Sequence, residues 1–396
     1  MKPLAGIRIA DFTIHAAGPF FTHMLSQLGA ECIKIESSLR PDAFRKPHAV
    51  YGRMGPATFD QVASNKLSVR INLKHRKGVA LAKRLTGISD IVSESFRPGV
   101  MGRLGLAYEA LTQVRPDIIM VSVSSSGQIG PDSHFAGYAP LFGAWGGLGY
   151  LSGYADGPPI EMRHVMDHTI GMNAALGTVA ALHRRRRTGL GCHVDVSGRE
   201  VAASLSGEAL MVAAAGGDPV RMGNERIGAA PHGVYRTRDH DRWLSIAVTD
   251  EKQWAAFAQL IGHPDLLNEP RLSNGAGRYE DRARLDRITE EWTSQQAGEA
   301  AQEALQRAGI PAHLSWNIQD VVQDPHLHER GALIGVQDID GNSRAAVSAP
   351  MRFSQAQVGI DRGTPALGGD EDYVYGELLG MSTAERNALT EEQVIY

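Results

Sequence analysis

Short β-branched runs alternate with helical runs through the first third of the chain, and this alternation limits the fold more than any other feature. The runs are 6–12 (GIRIADF), 31–36 (ECIKIE), 66–73 (KLSVRINL), 88–92 and 118–124. Helical stretches fall between them, one ending at Leu28 before Gly29 and another over 78–85; 94–99 reads as a loop after the fourth run, and 199–215 as a later helix. Strands separated by helices imply a mainly parallel sheet and an α/β class. The first strand, helix and second strand form a βαβ unit of Rossmann type. Glu36 ends the second strand, where dinucleotide sites carry a ribose-binding acid. No G-x-G-x-x-G follows the first strand, which counts against NAD.

A length of 396 residues allows two domains and a large core. The expected parts are a large N-terminal domain over 1–215, a linker and smaller α+β domain over 216–329, and a segment over 330–396 that returns to short strands and then helices. A net charge of -4 gives no footing for nucleic acid, and Arg184 to Arg187 read better as a helix end than as a nucleic-acid patch. The two cysteines, Cys32 and Cys192, lie in apolar strand-like runs and read as reduced residues of a cytoplasmic protein. The opening residues lack a signal-peptide core, and no run has the length of a membrane span.

The stretch 158–191 (PPIEMRHVMDHTIGMNAALGTVAALHRRRRTGLG) concentrates the chemistry. Apolar residues recur there at three and four, and small residues (Gly171, Ala174, Ala175, Gly177, Ala180, Ala181) let such a helix approach another backbone closely. Arginines in its last turn suit the negative end of the macrodipole, and Gly189 stops it. Asp167 falls at or just before the positive end. It reads either as an N-cap or as an ionised carboxylate held ready as nucleophile, base or metal ligand. The metal reading would add His164 and His168, but H-E-x-x-H is absent and no third ligand stands out. No G-x-S-x-G elbow or activated cysteine points to a hydrolase. The Ser- and Gly-rich stretch 124–149 is either a loop that brings N–H groups to a ligand or a plain connection, and 143–149 is a candidate source of oxyanion donors.

Several blocks taken in order resemble the class III CoA-transferases, the family of formyl-CoA transferase and carnitine CoA-transferase. They are Pro3-Leu4-Ala5-Gly6-Ile7-Arg8-Ile9, Ala17-Gly18-Pro19, Leu28-Gly29-Ala30 with Ile33-Lys34-Ile35-Glu36, Asn65-Lys66, Asn72-Leu73-Lys74, Phe96-Arg97-Pro98-Gly99, Arg103-Leu104-Gly105, Asp156-Gly157-Pro158-Pro159 before Asp167, Asp324-Pro325, Arg330-Gly331 and Ala349-Pro350. The similarity spans nearly the whole chain. Within the family, the region 230–254 looks most like the succinyl-CoA-dependent malate, citramalate and benzylsuccinate transferases.

The resemblance implies an interlocked homodimer. Each chain has a Rossmann-like large domain built from both chain ends, with the smaller domain between. It implies Asp167 as the catalytic nucleophile, passing through mixed anhydrides and an aspartyl-CoA thioester. It implies CoA contacts at Ala16, Ala17, Ile71, Asn72, Leu73, Lys74, Ser95, Phe96, Arg97, Arg103 and Tyr138. CoA and acyl-CoA are then substrates, with no tightly bound cofactor and no metal. The acceptor is expected to be a dicarboxylate and the donor succinyl-CoA, with Arg40, Arg45 or Arg163 on the second carboxylate. Formyl-CoA transferase has a basic residue at the position of Ala136 and an arginine at that of Ser37, so some phosphate contacts must differ. Two alternatives are a 2-methylacyl-CoA racemase and a non-catalytic CoA-binding protein. Racemases of this fold carry a His after a Gly in the glycine loop, and here Tyr138 follows Gly137; a phenol is a poor base at neutral pH.

Overall fold

The computed structural model describes residues 1–46, 56–338 and 340–396, with the side chains of 56, 57, 163 and 164 outside the description. The chain forms two compact units, one from 1–149, 161–216 and 325–396, the other from 150–160 and 217–324.

The first unit is built on β1 (Arg8–Asp11), β2 (Glu31–Glu36), β3 (Lys66–Arg70), β4 (Ile91–Glu94), β5 (Ile119–Ser124) and β6 (Cys192–Ser197). All pair in parallel in the order β3-β2-β1-β4-β5-β6. The helices up to residue 214, in chain order, are α1 (Ala17–Gln27), α2 (Pro56–Ala63), α3 (Arg76–Gly87), α4 (Val100–Arg103), α5 (Tyr108–Thr112), α6 (Ala139–Trp145), α7 (Leu148–Leu151, which runs across the boundary at 149), α8 (Arg163–Thr188), α9 (Gly198–Leu205) and α10 (Gly207–Ala214), and Pro325–Glu329 and Thr383–Glu391 add two more in the C-terminal segment. Alternate strand residues face opposite layers. Ile9, Ile91, Ile119 and Val121 pack with Phe21 and Leu25 of α1 and Met166, Ile170 and Ala174 of α8. Ala10, Val92 and Met120 pack on the other side with Leu81 and Leu85 of α3, Leu111 of α5 and the C-terminal residues Tyr375 and Ile395. The unit also holds an antiparallel pair, Leu333–Gln337 with Ser343–Val347. The second unit folds a three-stranded antiparallel sheet (His232–Arg236, Trp243–Ala247, Ala312–Leu314) over its own core of Leu244, Ile246, Trp254, Phe257 and Leu305.

Several expectations are corrected. β4 begins later and runs to Glu94, because Ile88 caps α3 and the register Glu94↔Ser122 extends the ladder. Glu94 is therefore a strand residue, not part of the following loop. The helix expected over 199–215 is two helices, α9 and α10, which meet at Ser206. The stretch 143–149 is largely helical, within α6 and α7. Glu36 is no ribose ligand, since its carboxylate accepts the guanidinium of Arg45 and the N–H of Asp42.

A buried charge network underlies the sheet. Asp11 is fully enclosed and accepts from Lys66 at 3.1 Å, from the hydroxyls of Thr13, Thr22 and Ser93, and from the Thr13 N–H. Lys66 also donates to the Pro19 carbonyl, and the equally buried Lys34 joins the Thr13 carbonyl to Asp42. Burial alone would raise the Asp11 carboxyl, but Lys66, Lys34 and Thr13 outweigh it and hold it at about 2. A group depressed on folding contributes stability above its unfolded value, lost as pH falls from about 4 towards about 2. Asp11→Asn leaves Lys66 without its counter-charge in a sealed site. It is expected to destabilise the chain by about 3–5 kcal/mol at neutral pH, with the deficit shrinking as the pH drops through that window, as read by urea denaturation.

Candidate functional site at the carboxyl edge of the parallel sheet

In the order β3-β2-β1-β4-β5-β6 the connections reverse direction between β1 and β4. The chain leaves β1 into α1 on one face and leaves β4 towards Met101 and Leu106 on the other. Such a switch point opens a crevice outside the strand ends, where α/β proteins bind ligands.

The two crevice loops are tied together. Ser95 Oγ accepts the N–H of Ile14 at 2.9 Å and donates to its carbonyl at 3.1 Å. Gly18 fits this junction because a Cβ there would stand 2.6 Å from Thr13 Cβ and 2.9 Å from Ser95 Cβ. His15, exposed in the β1–α1 loop, holds a left-handed φ of 65°, a conformation that non-glycine residues adopt chiefly where surrounding structure imposes it. Ala16 occupies the N-cap of α1 and supplies no capping side chain.

Asp167 meets this crevice through α8. At its far end, Arg185 donates to the carbonyl and carboxylate of Asp90. Asp90 also accepts the N–H of Arg8 at the start of β1. Near its start, Gly171 lies against the first residues of α1, where a Cβ would be 2.7 Å from a Phe20 ring carbon and 3.0 Å from the Ala17 carbonyl. The two helices therefore run in the same sense, from the carboxyl edge downward. Asp167 precedes Gly171 by four residues, so it shares that face and stands about 6 Å higher, above the start of α1. It is half-buried. His168 beside it packs its ring on Phe20, with centroids 4.3 Å apart.

The helix start differs from the expectation. α8 begins at Arg163, with Met162 as N-cap and no capping side chain. The buried series Met166, Ile170 and Ala174 already starts here, which draws the preceding turn into the helix. Asp167 is its fifth residue and not its N-cap.

The crevice loops thus bring Ala16, Ala17, Ser95 and Phe96 to one edge with Asp167. Phe96 is half-buried against the apolar core behind it. The segment 71–74 follows β3 at the same edge, but most of its side chains are engaged. Ile71 belongs to the core. Asn72 donates to the Gln393 carbonyl and accepts the Lys74 N–H, and Leu73 is half-buried. Lys74, Arg97 and Arg103 are exposed, with no ion pair on their charged heads among the described residues. Tyr138 is the N-cap of α6 and is exposed. Arg40 is exposed as well. Arg45 is corrected to a structural role: its guanidinium pairs with Glu36 at 2.7 Å, donates to the Pro365 carbonyl and lies 4.0 Å over the Phe59 ring. The side chain of Arg163 lies outside the described residues.

The oxyanion role expected of 143–149 meets a geometric objection. The N–H groups of Gly146 and Gly147 are spent on Phe142 and Ala144. Gly143 and Gly149 instead leave room for Glu161, since a Cβ at Gly149 would fall 2.0 Å from its carboxylate. An open groove of ≈ 510 Å³ does lie nearby, bordered by Ser126, Asp132, Trp145, Arg199 and Leu210. Trp145, Gly146 and Gly147 of the expected oxyanion stretch line it, but Asp167 and the expected CoA contacts do not, so the switch point and not this groove is the candidate site.

Sequence reasoning missed Glu94, which sits at the end of β4 under the crevice and is 2% exposed. Burial pushes its carboxyl up to about 7 against the lowering hydrogen bonds of Ser122 and the Phe96 N–H, and the charge of Asp195 adds to the rise. An acid closing a β-branched strand was the available signal.

The framework is a parallel α/β sheet with Asp167 on a helix at its carboxyl edge, and comparison with known proteins gives the class to which it belongs. Residues 4–371 match the model of CoA-transferase family III. The chain belongs to this family and is a CoA-transferase. It is similar to the succinyl-CoA–D-citramalate CoA-transferase of Chloroflexus aurantiacus, at 32% identity over 100% of this chain and 98% of that one. It is similar to the succinyl-CoA:glutarate CoA-transferase of Mus musculus, at 29% identity over 96% and 87%. In structure it resembles a CAIB/BAIF family protein from Brucella suis, with a TM-score of 0.85 and 28% identity over 95% of this chain and 99% of that one. Among the described residues no helix is long and apolar enough to cross a membrane.

The crossing at Gly171 fixes the height of Asp167. Gly171→Val is expected to push α8 from α1 and cost about 1–3 kcal/mol by thermal denaturation. CoA transfer should fall well beyond the unfolded fraction, whereas Gly189→Ala, at the other end of the same helix, should not lower turnover of the folded protein.

Proposed function

We propose that this enzyme moves CoA from succinyl-CoA to a dicarboxylic acid, with Asp167 as the nucleophile. The observation that carries this reading is the position of Asp167 over the β1–β4 switch point, one helical turn beyond the Gly171–Ala17 contact. The Asp167 carboxylate attacks the thioester carbonyl, forming a mixed anhydride and releasing CoA thiolate. The thiolate attacks the aspartyl carbonyl, freeing the donor acid and leaving an aspartyl-CoA thioester. The acceptor carboxylate attacks that thioester, and the returning thiolate takes the acceptor acyl group. Every bond broken is matched by one of similar energy, so no external energy source is required. Backbone N–H groups at the uncapped start of α1 are suited to the developing oxyanions. Lys74, Arg97 and Arg103 are the candidate phosphate partners, and Arg40 and Arg163 are candidates for the acceptor's second carboxylate. The names of relatives acting on citramalate and glutarate support a diacid acceptor.

Asp167→Asn preserves shape but cannot form the anhydride. It should bind CoA and stay folded while losing transfer almost entirely. Succinyl-CoA alone should load CoA onto the wild-type protein, and hydroxylamine should convert the modified side chain to a hydroxamate that maps to Asp167. An active Asn variant with an unmodified peptide would remove the mechanism. Turnover of oxalate with formyl-CoA, and of no four- or five-carbon diacid, would remove the proposed substrates.

The assembly is proposed as an interlocked homodimer. Supporting it, α8 exposes Val165, Met172, Leu176 and Val179 along one stripe, with Leu176 69% exposed; periodic apolar exposure of this kind marks an interaction surface. Light scattering should give about twice 42.7 kDa that dilution does not dissociate. Leu176→Glu should lower the yield of that dimer. A monomer peak with full activity would contradict the assembly.

A further inference from the structure

Glu94 takes no part in the steps above, yet both walls of the crevice depend on its surroundings. One carboxylate oxygen accepts the Phe96 N–H at 2.7 Å. The adjoining Ser95 holds Ile14 by its N–H and its carbonyl. The loop after β4 and the loop after β1 are therefore fixed in sequence from one buried acid. Two neighbouring strands bring polar groups to it. Ser122 lies against it from β5, and Asp195 is the like charge facing it from β6. Ser122 Oγ is 2.8 Å from Nε2 of His193. The His193 ring stacks on Tyr108 at 5.6 Å, and the residue is exposed to solvent. The hydroxyl thus stands between a sealed carboxyl and a solvent-reaching imidazole, which gives protons a way in and out.

We propose that Glu94 is a positioning residue for the CoA thioester: its carboxyl holds the Ser95–Arg97 loop through the Phe96 N–H, and its ionisation weakens binding of the polyanionic ligand. The inference rests on the reading that the crevice takes CoA. CoA brings phosphate charge to the loop that Glu94 supports. A carboxylate there adds repulsion inside a poorly solvated site, so proton and CoA favour one another. Reciprocity then requires proton uptake when CoA binds. With the carboxyl at about 7, its charge changes in the working range. The charge of Asp195 and the His193 ring, whose burial holds it below the usual imidazole value, face the same acid, and replacement of Glu94 alone isolates its part.

The test compares KM and kcat for one acyl-CoA from about pH 6 to about pH 8 in wild type and Glu94→Gln. The wild-type KM should rise severalfold with pH. The Gln variant should flatten that rise, with kcat less affected than KM. Titration of the CoA phosphates is common to both proteins and cancels. Glu94→Ala, which loses the acceptor for Phe96, should have a raised KM at every pH. Calorimetric titration of wild type with dephospho-CoA, which lacks the titrating phosphomonoester, in two buffers of different ionisation enthalpy should show proton uptake near neutral pH. This measurement decides the matter even if the variants fold poorly. An unchanged KM profile in folded Glu94→Gln, or no proton uptake by wild type, overturns the inference and leaves the transferase reading standing. No CoA binding by wild type at any pH overturns both.

Discussion

The ion pair between Asp11 and Lys66 is the interaction on which the rest of this structure depends. Both groups are sealed from water, and neither is stable there alone. Their hydrogen bonds reach Thr13, Thr22 and the Pro19 carbonyl, so the pair fixes the path from β1 into α1. Lys34 extends the network to Asp42, whose carboxylate also accepts the Phe44 N–H. A rigid polar floor thus lies beneath the crevice where a loop would otherwise be free to shift. The proposed catalysis through a covalent anhydride would need reacting atoms held within fractions of an ångström, and fixed backbone loops provide that more reliably than mobile side chains.

The second requirement is height. The proposed nucleophile has to stand above the strand ends without being withdrawn into the core. Small residues of α8 allow it to run close beside α1, and the Gly171–Ala17 contact sets the level at which Asp167 emerges. Arg185 anchors the far end to Asp90. The helix is held at both ends, so its first turns are positioned by packing and not by a cap.

Much of this was legible in the residues. Strand–helix alternation gave the parallel sheet, and the small-residue run gave α8 and its stop at Gly189. What was hidden depends on contacts distant in sequence. Lys66 opens a strand and looks like an ordinary edge cation, and only its partnership with Asp11 buries it. Arg45 looked available for substrate until Glu36 was found against it. Glu94 seemed a loop acid because strand ends are set by partner strands, here Ser122. The glycines at 143 and 149 suggested exposed amides, yet their lack of side chains makes room for Glu161. Local pattern identifies elements; it does not say which charges are already neutralised.

As the proposed nucleophile, Asp167 exchanges oxygen with the acids it serves. In the proposed sequence the donor acid leaves with an oxygen from the aspartate, and the acceptor restores one. Turnover with an acceptor labelled with oxygen-18 in its carboxylates should therefore place the heavy isotope in Asp167, seen as a mass increase of the peptide that contains it and located there by fragmentation. The account predicts label at Asp167 that depends on the acyl-CoA donor. Full turnover with an unlabelled Asp167, or label on another carboxylate of the crevice, would contradict it.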